Sequence, residues 1–100
     1  MTLEVGKVYT IKLNSGEELV AKIACEMTGS YVAVSDPVSI APTQQGMQMI
    51  PSIFTADPAQ SVTINTNSIS MYSETEDSVK MKYIEATTGI KIPEKKIVLG

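Results

Sequence analysis

Few residues in this chain could carry chemistry, and their types restrict what that chemistry is. No His occurs among the 100 residues, which removes the usual general base near neutral pH, the triads built on it and the commonest zinc ligand. The single cysteine, Cys25, has no internal partner for a disulfide. It continues an alternating apolar pattern, which predicts a small buried hydrophobe rather than a nucleophile. Carboxylates gather only at Glu17-Glu18 and at Glu74, Glu76 and Asp77. The first pair sits in a turn and the second group at a helix start, where the helix dipole accounts for it, so no metal site is expected. The six glycines are scattered, with no Gly-x-x-x-x-Gly-Lys run for a phosphate loop. The expectation is a chain that is not an enzyme and uses no cofactor.

The groups left for a ligand suit a nucleobase better than a reaction. Tyr31 offers a ring on which a base can stack, or an amphipathic side chain for a strand start or subunit contact. Asn65, Thr66 and Asn67 offer amide and hydroxyl groups to a base edge, or simply build a turn. Lys7, Lys12 and Lys22 would make a phosphate-binding face if copied around a ring, or the solvated face of two strands if not. Against nucleic acid stand a net charge of −3 and the absence of Arg, the bidentate reader of phosphate and guanine.

The elements that must position these residues are mostly strands. Tyr9, Ile11 and Leu13 alternate with polar residues, the period of two of a half-buried strand. Asn14-Ser15-Gly16-Glu17 then makes a hairpin turn, and Leu19, Ala21, Ile23 and Cys25 resume the alternation. After Thr28-Gly29-Ser30, Val32 and Val34 point one way and Tyr31, Ala33 and Ser35 the other, until Asp36-Pro37 disturbs a third strand. A polar stretch, 41–45, precedes a fourth strand over 46–54 with Met47 and Met49 on one side, where Pro51 marks a bulge or a free edge. Thr55 to Gln60 is a turn-rich interruption, and Ser61–Ile64 and Ile69–Tyr72 are short strands around a sharp bend at Asn65–Ser68. Ser73 and Glu76 have the spacing of a capping box, which predicts a helix over about 74–88. Val79, Tyr83 and Ala86 form its apolar stripe, Met81 and Ile84 widen it, and Glu76 to Lys80 is a favourable ion-pair spacing. Residues 90–100 read as a terminal strand or tail, too apolar in Ile90–Ile92 and Ile97–Leu99 to be idle.

Hydrophobic residues at 43% and charged residues at 19% indicate one folded domain over 1–100. No apolar run approaches the roughly 18 residues of a membrane span, and the N-terminal segment lacks signal-peptide character, so a cytoplasmic location and no membrane contact are expected.

The order of these strands over about residues 5–72 resembles the Sm-like family. Its first motif, alternating apolar residues, a Gly and a second alternating strand, corresponds to Tyr9, Ile11, Leu13, Gly16, Leu19, Ala21 and Ile23, with Val32 and Val34 following. Where that motif carries an Asp and a Met-Asn pair for a uridine pocket, Met27, Ser30 and Tyr31 stand here. Where the second motif carries Arg-Gly between apolar residues, the chain has Ile64-Asn65-Thr66-Asn67-Ser68-Ile69. A helix at the C-terminal rather than the N-terminal end is similar to small Sm-like chains of bacteriophages, of cyanophage type, which implies the cytoplasm of a bacterium or of an infected host.

The resemblance implies a mainly β fold: a strongly bent five-stranded barrel of the SH3 type with one C-terminal helix. Its fourth strand would pair with the fifth strand of the next copy, closing a homo-oligomeric ring of about five to seven subunits. Independently, Met47, Met49, Ile53, Phe54, Ile69, Met71 and Tyr72 supply more apolar edge than a small monomer would leave exposed, and they are the expected oligomer interface. Two functions remain open at this point. The ring could hold single-stranded, U- or A-rich RNA at its pore through Tyr31, Asn65, Thr66 and Asn67, or serve as a structural adaptor that binds protein.

Overall fold

The computed structural model describes residues 2–88. It is mainly β, one antiparallel sheet followed by one helix. The strands are β1 (Val8–Leu13), β2 (Glu18–Thr28), β3 (Tyr31–Thr43), β4 (Gly46–Pro51), β5 (Val62–Asn65) and β6 (Ile69–Glu74), and the helix is α1 (Asp77–Thr88). The sheet order is β4-β3-β2-β1-β6, with β5 also paired to β3. Residues 90–100, expected as a strand or tail, lie outside the described residues.

The sheet follows from local chemistry that the sequence displays. Between β1 and β2, Leu13 N–H donates to Glu17 O at 2.8 Å and Gly16 N–H to Leu13 O at 2.9 Å, with Gly16 at φ +96°. That conformation strains any residue with a Cβ, so glycine is what lets the hairpin close. Leu19, Ala21 and Ile23 all face one core, as the alternation predicts, while Val20 between them faces another.

β3 carries two strands on its far side. Its C-terminal half pairs with β4, from Val38 opposite Pro51 to Thr43 opposite Gly46, and its N-terminal half pairs with β5, from Tyr31 opposite Asn65 to Val34 opposite Val62. The fourth strand expected over 46–54 is therefore shorter, ending at Pro51, and β4 and β5 behave as two halves of one strand interrupted by 52–61. The polar stretch 41–45 is not a loop throughout, because β3 runs on to Thr43. Its backbone bonds are met by β4, and polarity alone does not break a strand whose side chains face water.

The three-residue 3-10 turn Thr66–Ser68 carries the chain from β5, at one margin of the sheet, to β6, at the other. So short a connection requires a strongly curled sheet. Among the described residues no ladder joins β5 to β6, so the sheet is curled and not closed.

The two faces of this sheet hold separate cores. Tyr9, Ile11, Leu19, Ala21, Ile23, Val32 and Val34, with Leu3, form the larger, against which Leu13, Met27, Val62, Ile64, Ile69 and Tyr72 pack. On the opposite face Val8, Val20 and Val38 meet Tyr83 of α1, flanked by Ile40, Met49 and Val79.

Three expectations about side chains are corrected. Cys25 is exposed. The β2–β3 register slips between Ile23 and Cys25, and one extra residue in a strand sends everything after it to the other face. The capping box does not form: Ser73 belongs to β6, paired with Thr10, and α1 begins at Asp77 rather than 74. The Glu76 carboxylate accepts from Ser78 Oγ at 2.9 Å, and Lys80 meets Glu76 through the backbone, Lys80 N–H donating to Glu76 O at 2.9 Å. The helix stripe is also narrower than expected, since Met81, Ile84 and Ala86 are exposed and Tyr83 alone is fully buried. Tyr83, with the half-buried Val79 beside it, therefore anchors the helix.

Candidate functional site

The residues expected to touch a base are brought together. Tyr31 stands opposite Asn65 in the β3–β5 ladder, and Thr66 and Asn67 follow directly in the 3-10 turn. This turn is tied into the sheet from both sides. Thr66 donates to Ser30 O through its backbone N–H at 2.7 Å and its hydroxyl at 3.0 Å, and Asn14 N–H donates to Ser68 O at 2.8 Å. Asn14 Nδ2 also donates to Asn67 O at 2.8 Å. The turn is therefore a rigid platform built from the tips of two hairpins.

Its side chains divide into those the fold uses and those it leaves available. Asn65 Oδ1 accepts from Asn67 N–H at 2.9 Å and so caps the turn, and the Thr66 hydroxyl is taken by Ser30. The Tyr31 ring is 53% exposed. The Asn67 carboxamide is also exposed, and no described residue bonds it. Of the four predicted residues, then, Tyr31 and Asn67 present groups outward, while Asn65 and Thr66 hold the backbone that presents them.

The lysines do not gather into a cationic face. Lys7 lies 3.4 Å from both Glu4 and Glu74, and its pKa is raised, chiefly by the hydrogen bond to Glu4. Lys12 lies 3.8 Å from Glu18. Lys22 is exposed on β2. Two of the three expected phosphate contacts are thus already beside carboxylates.

The expected interface residues fall into two groups. Ile69 and Tyr72 pack on the larger core, and Tyr72 makes an edge-to-face contact with Tyr9 at 6.3 Å between centroids. Met49 packs on the smaller core. These three serve the monomer first. Met47, Ile53, Phe54 and Met71 remain exposed, with Phe54 the most open at 77%. Ile50, beside them on β4, is exposed too and was not singled out by sequence; its position between Met49 and Pro51 was the available signal.

A feature the sequence did not disclose is a cleft of about 600 Å³ between the sheet, the 52–61 connection and the end of α1. Its lining includes Val38, Met49, Ile53 and Val62, and Thr87 of α1. Asp36 at its margin has φ +48°, a left-handed conformation that Asp tolerates better than most residues. This kink is a bulge: Val20 pairs with Val38 but Lys22 pairs with Ser35, so β3 spends one residue more than β2. Tyr83 completes the ladder there, its hydroxyl accepting from Lys22 N–H at 3.1 Å and donating to Ser35 O at 2.9 Å. Burial, and secondarily the Asp36 carboxylate, push the Tyr83 phenol well above its ordinary pKa.

Among the described residues no group of three or more acidic, Cys or His side chains is placed to hold a metal, and no helix is long and apolar enough to cross a membrane. No family model matches the chain, and no curated protein matches it significantly in sequence.

Proposed function

We propose that the chain works as a non-enzymatic Sm-like assembly module: a bent barrel that joins copies of itself into a ring of about five to seven subunits and serves as a structural adaptor. The observation that carries this reading is the state of the two sheet margins. β4 and β6 each have one side without a strand partner among the described residues, and each displays an exposed methionine, Met47 at 61% and Met71 at 63%. Open edges with apolar side chains invite pairing with another strand. Joining β4 of one copy to β6 of the next would pair these two edges at once, and a head-to-tail contact of this kind generates a ring when its rotation closes.

Light scattering on purified protein tests the assembly. The expected mass is that of several copies at micromolar concentration, and Met47→Lys with Met71→Lys should lower it toward the monomer. A monomeric mass for the unaltered chain would refute the proposal.

A second reading, single-stranded RNA at the ring's pore, is favoured by one observation: the exposed Tyr31 ring beside a rigid turn that carries the available Asn67 carboxamide. Stacking on such a ring contributes roughly 1–3 kcal/mol per base. Labelled U- or A-rich RNA should then bind at low salt and lose affinity with Tyr31→Ala and Asn67→Ala. Absence of binding at low salt ends that reading and leaves the adaptor.

A further inference from the structure

The cleft beside α1 has the size of a ligand site, since pockets for small ligands run roughly 300–1,000 Å³. Its apolar lining includes Pro37, Val38, Met49, Ile53 and Val62. Its charged lining residues are three carboxylates, Asp36, Asp57 and Glu85, and one ammonium, Lys82. A molecule that complements it combines apolar groups with positive charge.

We propose that this cleft is a binding site for a short, extended peptide of aliphatic residues and lysine, and that its occupant is the chain's own segment 89–100. The charge is divided in the sense this requires. Residues 1–88 hold five lysines and ten acids, a net −5, whereas residues 89–100 hold Lys91, Lys95 and Lys96 against Glu94, a net +2. The segment also contains Ile90, Ile92, Ile97, Val98 and Leu99. Ile90-Lys91-Ile92 alternates, so an extended backbone would present both isoleucines on one side, for the apolar lining, and the lysine on the other, for the carboxylates.

Reach favours the same chain over a neighbour. Thr87 lines the cleft and Thr88 is the last residue of α1. Ile90 follows two residues later, so docking closes almost no loop, and the entropy cost of closure is small for so short a tether. The volume suits a few residues of extended chain rather than all twelve. All of the cleft's walls come from a single subunit: β3, β4, β5, the 52–61 connection and α1.

The test uses the full chain with Cys25→Ser and Glu94→Cys, the new thiol carrying a nitroxide, and methyl NMR of Val, Ile and Met. The expected result is at least twofold stronger attenuation of Met49 and Ile53 than of Met27, at the other end of β2 from the cleft. Asp36→Asn with Asp57→Asn, which keeps the side-chain shapes, should reduce that attenuation at least twofold. A mixture of isotope-labelled chain without nitroxide and nitroxide-bearing chain without isotope should show none. Equal attenuation at Met27, or attenuation that appears in the mixture, overturns the proposal.

Discussion

Replacing Tyr83 with Phe removes one oxygen atom and tests how the helix is held to the sheet. The hydroxyl accepts from Lys22 N–H at 3.1 Å and donates to Ser35 O at 2.9 Å, both backbone groups that the β3 bulge leaves outside the regular ladder. The side chain is 2% exposed and packs among Val8, Val20 and Val38, contacts that Phe retains. The loss is therefore polar: two backbone groups go unpaired, each worth about 1–3 kcal/mol when buried. Allowing for partial access of water to Lys22, the expected destabilisation is about 2–4 kcal/mol. For a domain of this size each kcal/mol lowers Tm by about 4–8 °C. Urea unfolding followed by circular dichroism, with m unchanged, measures it. Amide exchange at Lys22 should accelerate more than at Leu19. A destabilisation below about 0.5 kcal/mol, within the range of ordinary surface substitutions, would refute the idea that this hydroxyl completes the bulged ladder.

The same residue makes stability depend on alkaline pH. Its folded pKa is raised while the unfolded phenol ionises near pH 10. The contribution is therefore fully present below about pH 10 and declines above it, because the unfolded state then binds fewer protons than the folded one. Unfolding free energy should fall above pH 10 in the natural chain by up to about 1.4 kcal/mol per unit, and by less in Tyr83→Phe. Ile11 is fully buried in the larger core, so Ile11→Ala should cost about 2–5 kcal/mol in urea unfolding. Asn65→Ala removes the cap of the 3-10 turn and should cost about 1 kcal/mol, whereas Asn67→Ala should stay within about 0.5 kcal/mol because no described residue bonds its side chain. Comparable losses for the two would show that the turn does not divide its residues as described. Gly16→Ala places a Cβ at φ +96° and should cost about 1 kcal/mol, read as a lower urea midpoint.

How much of this protein can be read from sequence differs by element. The alternation of Tyr9, Ile11 and Leu13, then of Leu19, Ala21 and Ile23, then of Val32 and Val34 was sufficient for the three-stranded meander and most of the larger core. Such a pattern states directly which side of a pleated strand is apolar. The turn at Asn65–Ser68 was also legible, because Asn and Ser bond their own backbone. What sequence could not supply was anything that depends on a slip in register or on a partner distant along the chain. Cys25 kept its place in the alternation yet faces water, because a bulge after Ile23 inverts the phase. Met81 and Ile84 fit a helical stripe yet are exposed, because α1 meets the sheet through Tyr83 and Val79 rather than along a wider face.

The candidate site divides in the same way. Sequence determined the side chains available for chemistry: no His, no Arg, one Tyr before a valine strand and two Asn in a sharp bend. Tertiary structure decided which of them are spent on the fold. It set Tyr31 opposite Asn65, used Asn65 and Thr66 to build the turn, paired Lys7 and Lys12 with glutamates and left Tyr31 and Asn67 facing outward. It also made the cleft, whose walls come from residues between 36 and 87 in the chain. Local pattern encodes secondary structure because each residue's preference acts within a few neighbours. A cavity and a spent hydrogen bond exist only once distant segments meet, and that meeting is what the sheet's curl brings about.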